Sequence, residues 1–385
     1  QEYHLLCRTR AKIGVFILGY ASMQVWIRRF ALLLLPLGFL AVMVAAPLLS
    51  LAFYDGEGAW AEVVADDYMR LRLGWTVAQA VLTCVLVTAL GVPAAWVLAR
   101  MDFVGRRTVL RLLMLPFVMP TLVAGMGVLA LFGAHGMLAA GWQDTPWLLI
   151  YGNVFFNLPV LVRSAYQGFV RVPQARWLAA QSLGADAGRR FVWVEWPGVR
   201  AWVAGGACLV FLYCFSGFGL ALLLGGERFA TVEGDISRLV ADELDMARAS
   251  VWVWWVRAAT AAAGGFYAYW SKRVAVDKSV SPLPPRAPVR AWEKWLTATV
   301  LAMLVLCCLL PLAAVWFKAA AAGSSWAVLL EAQTWAAAWN TIRFSAAAVA
   351  AATVLGVLYA AAARQMAWLR ALMFLPFMVS PVCIA

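Results

Sequence analysis

Long apolar runs alternate with short polar segments along the whole chain. Runs of spanning length fall near 31–53, 75–99, 109–132, 147–170, 201–224, 249–270, 296–317, 336–362 and 368–385. A helix that crosses a bilayer needs about 20 such residues with few charges. The runs are continuous rather than alternating, which predicts helices and not a transmembrane barrel. The expected fold is an all-α membrane protein, a polytopic helical bundle of about nine transmembrane helices. Composition agrees. Of the 385 residues 64% are hydrophobic and 13% charged, against about 45–50% and about 25% in soluble domains.

The net charge of +12 raises the question of nucleic acid. The distribution answers it, because the basic residues gather in alternate loops. Segments 100–111, 163–200 and 271–294 hold 16 lysines and arginines, while 54–74 and 225–248 hold five. The latter two are acidic, with Asp55, Glu57, Glu62, Asp66 and Asp67 in one and six carboxylates in the other. Positive loops stay in the cytoplasm, so the N-terminus and the 163–200 loop are expected inside. The charge is a topology signal, and no nucleic-acid partner follows from it.

Seven cysteines form no CxxC motif, and all but Cys7 lie in apolar runs, which fits small buried hydrophobes. With His4 and His135 the only histidines, no histidine-based metal cluster can be built. His135 sits in Gly133-Ala-His-Gly136, a solvated turn. Residues 1–30 read as a cytoplasmic tail, and Met23 is a natural start that leaves 1–22 as tail or translated upstream sequence. The stretch Lys278 to Pro288 has four prolines and lies between spans six and seven, within a linker at 273–294.

The second set of spans repeats the first. Thr76 and Leu90-Gly91 recur at an offset of 265 as Thr341 and Leu355-Gly356. Leu115-Pro-Phe117, with Pro120 following, recurs as Leu375-Pro-Phe377, with Pro381 following. The order predicts an internal duplication, with a six-helix unit at 31–272 and an incomplete second unit at 295–385. A second copy of the 178–197 loop is then expected near residue 440, beyond Ala385.

That loop is the most distinctive polar segment. Val172-Pro173 ends the fourth span, and Gln174 to Leu183 reads as a short helix with Trp177, Ala180 and Leu183 on one side. Gly184 permits the left-handed backbone that ends it. Asp186 caps a second helix carrying Arg189 and Arg190, and Pro197 opens span five. Small residues at Ala179 and Ala180 allow close approach by another protein's groove. The alternative is an ordinary basic loop between spans.

Ala179-Ala180-Gln-Ser-Leu-Gly184, nine residues, then Val194-Glu195-Trp196-Pro197 resembles the cytoplasmic loop of the permease subunits of bacterial ABC importers. The family's leading Glu is Leu178 here, and its Leu before Pro is Trp196. The resemblance implies a duplicated six-helix permease unit of the MetI-like type. It implies partners as well: a cytoplasmic ATPase dimer that uses ATP and Mg, and a periplasmic substrate-binding protein. The loop at 171–197 would dock in the ATPase, with Leu178, Ala179, Ala180, Gly184, Arg189, Arg190 and Pro197 as its site residues. Fused double permeases for thiamine and for ferric iron are similar. Asn153-Val-Phe-Phe-Asn-Leu-Pro159, Phe211 to Phe218 and Asp245-Met-Ala-Arg248 look more like the thiamine type.

No Gly-Lys dipeptide occurs, hence no Walker A loop, so the chain itself is expected to be a permease and not an enzyme, with no cofactor of its own. An ion-coupled carrier built from repeats is the rival class, but no intramembrane carboxylate pair supports it. A membrane enzyme lacks any nucleophile–base constellation. Asn153 and Asn157 share a helix face and serve either the translocation path or interhelical hydrogen bonding. Arg257 lies well inside a span, snorkelling or paired within the bundle. Tryptophans at span ends, among them Trp60, Trp142 and Trp292, fit interfacial belts.

Overall fold

The computed structural model describes residues 34–52, 59–138, 141–271 and 281–363. The tail at 1–30, the run at 368–385, the second Leu-Pro-Phe and the first part of the linker fall outside these. The described residues divide into two compact units, one within 59–323 and one that joins 34–52 to 324–363.

The larger unit contains helices α2 (Ala59–Ala65), α3 (Asp67–Arg100), α4 (Arg106–Val118), α5 (Thr121–Phe132), α6 (Pro146–Val170) and α7 (Gln174–Ser182). It continues with α8 (Ala187–Phe215), α9 (Phe218–Gly225), α10 (Val232–Ala241), α11 (Met246–Ser271) and α12 (Ala291–Ala320). The described residues form no strand, only two isolated bridges. In the smaller unit, α1 covers 34–52 and α13 covers Ala332–Ala363.

Local chemistry explains the starts. Asp66 opens α3 by accepting the Tyr68 N–H at 2.9 Å, and the Thr145 hydroxyl accepts the Leu148 N–H at 3.3 Å ahead of Pro146. Three of the prolines inside helices share one arrangement. The π-helical turns Ala41–Ala45, Phe191–Glu195 and Val305–Leu309 each end two residues before a proline, Pro47, Pro197 and Pro311. A proline has no N–H to donate, and its ring clashes with the carbonyl four residues back. In all three cases that carbonyl belongs to the middle residue of the π-turn, where the wider coil gives it room.

Among the described residues, five helices are long and apolar enough to cross a membrane: α3, α6, α8, α12 and Ala332–Ala361 of α13. The run expected at 109–132 is a broken pair, α4 and α5, bent by 104°. Pro120 sits at the break as the N-cap of α5, in the extended conformation that proline favours. The run at 249–270 is α11, a helix of 26 residues outside those five, since its tryptophans and Arg257 lower its hydropathy. The run at 201–224 needs correction. The helix begins at Ala187 and stops at Phe215, and Ser216-Gly217 separates it from the short α9. Hydrophobicity continues across that break, so pattern alone could not see it.

Helices α3, α6 and α8 pack on one another at the centre of the larger unit, and α5 lies against the second half of α12. Ala124, Val128, Leu148, Phe155, Leu220 and Leu224 form a core where α5, α6 and α9 meet. Close approach depends on small residues. A Cβ placed on Gly127 would lie 2.7 Å from the Pro311 carbonyl oxygen of α12, whereas one on Gly74 would meet open space. Gly127→Ala should therefore cost about 1–3 kcal/mol through a forced backbone shift. Gly74→Ala should be neutral or stabilise by about 0.5–1 kcal/mol. Thermal unfolding of the two variants in detergent checks the contrast.

Candidate functional site

The site is built where α6 ends. Pro173 fixes the turn after Val170 and stands as the N-cap of α7. At its far end α7 closes with a complete Schellman motif. The Ala185 N–H donates to the Ala180 carbonyl at 3.0 Å and the Gly184 N–H to the Gln181 carbonyl at 3.0 Å, with Gly184 at φ +78°. The Asp186 carboxylate then accepts the Arg189 N–H at 2.7 Å and caps α8. The sequence reading of a short helix, a left-handed glycine and a capping aspartate matches this geometry in each part.

It differs at Pro197, which does not open a separate span. Arg189, Arg190 and Pro197 all lie on the one 29-residue helix α8, and the π-turn at Phe191–Glu195 carries it past the proline. The loop is thus one free helix, α7, leading into the first turns of a span.

One face of this arrangement is outward. Leu178, Leu183, Val192 and Trp193 are exposed large hydrophobics, Leu183 at 86% and Trp193 at 76%, and Ala179 is exposed beside them. Ala180 and Trp177 are half-buried. The Arg190 guanidinium lies 4.4 Å over the Trp177 ring, a cation–π contact that ties α7 to α8.

The inner face is polar and closed. The Glu195 side chain is 3% exposed and the Arg100 side chain 6%, and they pair at 3.1 Å. Two indoles complete the carboxylate. Trp96 donates to Oε2 at 2.8 Å and Trp177 to Oε1 at 3.2 Å. Arg100 also donates to the Phe169 carbonyl at 3.1 Å. One carboxylate therefore joins α3, α7 and α8, while its arginine holds the end of α6. The sequence reading names Glu195 only as part of the Val194-Glu195-Trp196-Pro197 motif, and its one visible signal is a lone carboxylate two residues before the motif's proline.

The linker's described part is ordered against this site. The Gln174 N–H donates to the Ser281 carbonyl at 3.1 Å, Pro173 bridges with Pro282, and Met101 bridges with Arg286. Farther on, the Glu293 carboxylate accepts from Arg286, and from the Val289 and Arg290 N–H groups at 3.0 and 3.2 Å. Trp292 stacks on Trp96 at 6.2 Å between ring centroids. Between linker and loop lies a cavity of about 600 Å³, lined by Trp96, Trp177, Glu195, Arg286 and Glu293 among others.

Asn153 and Asn157 are brought together inside the bundle, 6% and 2% exposed. Asn153 donates to Gln79 Oε1 at 2.8 Å, while Gln79 donates to the Cys214 carbonyl at 2.9 Å. Asn157 donates to the Asn153 carbonyl at 2.9 Å. The Asn153 and Gln79 bonds link α3, α6 and α8, while this Asn157 bond stays within α6. Arg257 is buried at 8% exposure, and His135 lies in an exposed turn. At the other end of α3, Arg72 pairs with Asp235 at 3.1 Å and donates to the Arg228 and Glu227 carbonyls. Burial pushes the Asp235 carboxyl above its ordinary value, with Arg72 opposing that rise.

Comparison with known proteins places this geometry. Over 228 residues the chain is 34% identical to the thiamine transport system permease protein of Brucella abortus, which is 56% of this chain and 42% of that protein. It is 34% identical over 225 residues to the one of Escherichia coli, 55% of this chain and 42% of that protein. The sulfate transport system permease protein of Synechocystis is 28% identical over 210 residues, 52% of this chain and 76% of that protein. A chain in the crystal structure of a bacterial ABC transporter involved in alginate import shares the fold. Its TM-score is 0.57 at 13% identity, covering 67% of this chain and 98% of that one. The chain resembles the permease subunits of bacterial ABC importers. No protein-family model matches it. The chain spans 42% of the length of the Brucella thiamine permease.

In this permease-like chain the Leu178 position, where the family pattern has a carboxylate, is 48% exposed and apolar. The buried carboxylate beside the loop comes instead from Glu195. Arg100→Met should leave that carboxylate uncompensated and cost about 3–5 kcal/mol. Adding Glu195→Gln to it should recover most of the loss. Unfolding midpoints of the single and double variants test the pairing.

Proposed function

We propose that this chain is part of the transmembrane permease of an ATP-driven importer that moves thiamine across the bacterial inner membrane. The N-terminus and the 171–197 loop would face the cytoplasm. The loop would dock on a separate ATPase dimer, which holds the ATP and Mg, and a periplasmic binding protein would deliver the substrate. The observation that carries the reading is α7 with its neighbouring turn of α8. It is a short helix with an exposed apolar ridge at Leu178, Ala179, Leu183 and Trp193, held from behind by a buried ion pair. A short helix in a partner's groove is an established recognition mode. Closure of the ATPase would then shift the spans between inward- and outward-open states.

The printed names of the Brucella and Escherichia relatives support thiamine as the substrate. Similarity to the Synechocystis sulfate permease favours a second reading, an oxyanion, and ferric iron is the alternative within the resemblance. Positive residues concentrated at 100–111, 163–200 and 271–294 support the orientation.

Gly184→Arg tests the docking role. Gly184 stands at φ +78° with open space around it, so an arginine strains the turn and blocks the groove contact without touching the bundle. The full-length protein carrying it should insert normally, yet lose ATP-driven uptake. Unchanged uptake would sink the docking assignment, and uptake that survives loss of the ATPase would favour an ion-coupled carrier. Uptake of labelled thiamine, sulfate and ferric iron by a deletion strain expressing the full-length protein is expected to show thiamine alone.

A further inference from the structure

Glu195 is one of two carboxylates that the fold buries at the same place. The Glu293 side chain is 1% exposed, lines the same cavity, and begins α12. Each carboxylate is held by one arginine, Glu195 by Arg100 and Glu293 by Arg286. The arginines are joined through the backbone. The Arg286 N–H donates to the Arg100 carbonyl at 2.9 Å, and the Asp102 N–H returns a bond to the Arg286 carbonyl at 2.8 Å. A continuous series of hydrogen bonds and ion pairs therefore runs from Trp177 on α7 to the first turn of α12. Trp96, stacked on Trp292, closes a second path between the same two ends.

We propose that Glu195 and Glu293 are paired positioning residues. They make the docking helix, the end of α3 and the start of α12 move as one block. A single docking loop would then drive a span from beyond the linker as well as the spans on its own side. The proposal rests on the docking reading given above. Its physical basis is burial. Charge-assisted bonds to closed-off groups are short and strong; Glu195 and Arg100 are both shut away from water, while Glu293 is buried under a half-exposed Arg286. Displacing Trp177 must carry Glu195 and Arg100 with it, and Arg286 is bound through its N–H to Arg100 and through its carbonyl to Asp102, two residues on. The linker's described part is thus a strap rather than a flexible tether.

A contiguous network becomes a coupling path only when energetic coupling is measured along it. The full-length transporter, with its ATPase and binding protein, is reconstituted in liposomes of phosphatidylethanolamine and phosphatidylglycerol. The readout is the ratio of ATP hydrolysis with and without binding protein, which does not depend on knowing the substrate. Glu195→Gln and Glu293→Gln are each expected to lower that ratio about fivefold or more. The double variant should fall no further than Glu195→Gln alone, because both paths pass through Glu195. Trp177→Phe leaves both ion pairs in place and is expected to give the same loss, which separates coupling from unfolding. Losses that multiply in the double variant, or a ratio unchanged in all three single variants, overturn the proposal while the docking reading stands. A wild-type protein that fails to retain the ATPase overturns both.

Discussion

The Glu195 carboxylate, held by Arg100 and two indoles, is the interaction on which the loop and its neighbours depend. Burying an ion pair is costly, and attraction offsets the lost hydration only when the geometry is good and the remaining lone pairs are satisfied. Here Glu195 accepts from Arg100, Trp96 and Trp177, and Arg100 adds a bond to the Phe169 carbonyl. Four helices converge on this pair, so none can shift alone without exposing a charge. The direction of the docking helix is set by this inner anchor, since no residue of α7 is itself fully buried.

The anchor in turn depends on a proline. The π-turn at Phe191–Glu195 precedes Pro197 and makes room for its ring, and the extra residue rotates everything upstream relative to the span below. The result turns Glu195 inward at 3% exposure while Val192 and Trp193 remain outside. The same device precedes Pro47 and Pro311, whereas Pro93 and Pro159 sit in helices without a π-turn at that place. A proline is thus necessary but not sufficient for the device.

How much of this was legible in the chain follows from which signals are local. The helix at Gln174–Ser182, the left-handed Gly184 and the Asp186 cap are properties of a few adjacent residues, and all three could be read. The partners of Glu195 lie 95, 99 and 18 residues away, and no spacing rule links them. Glu293 was hidden for a similar reason. It follows a run of prolines and arginines that reads as a solvated linker, yet its carboxylate turns back onto the N–H groups of its own helix start. Continuity escaped as well. The sequence reads a second helix carrying Arg189 and Arg190 and a span that opens at Pro197, whereas one helix runs from Ala187 through the proline.

Exposure and burial divide the loop into two chemistries. Outside is an apolar ridge that water does not satisfy, at Leu178, Leu183 and Trp193. Inside is a closed polar network with short bonds. Arg176, Asp186 and Arg189 are exposed as well. In the docking role proposed above, the apolar side chains would supply area to bury on a partner, and the inner pair would resist the deformation that would otherwise absorb the partner's movement. The bundle below is joined in a similar way by Gln79 and Asn153, whose bonds cross between helices at depth. Between α7 and α9 the regular α-helical ladder is interrupted at the π-turn Phe191–Glu195 and at Ser216-Gly217, just past the end of α8.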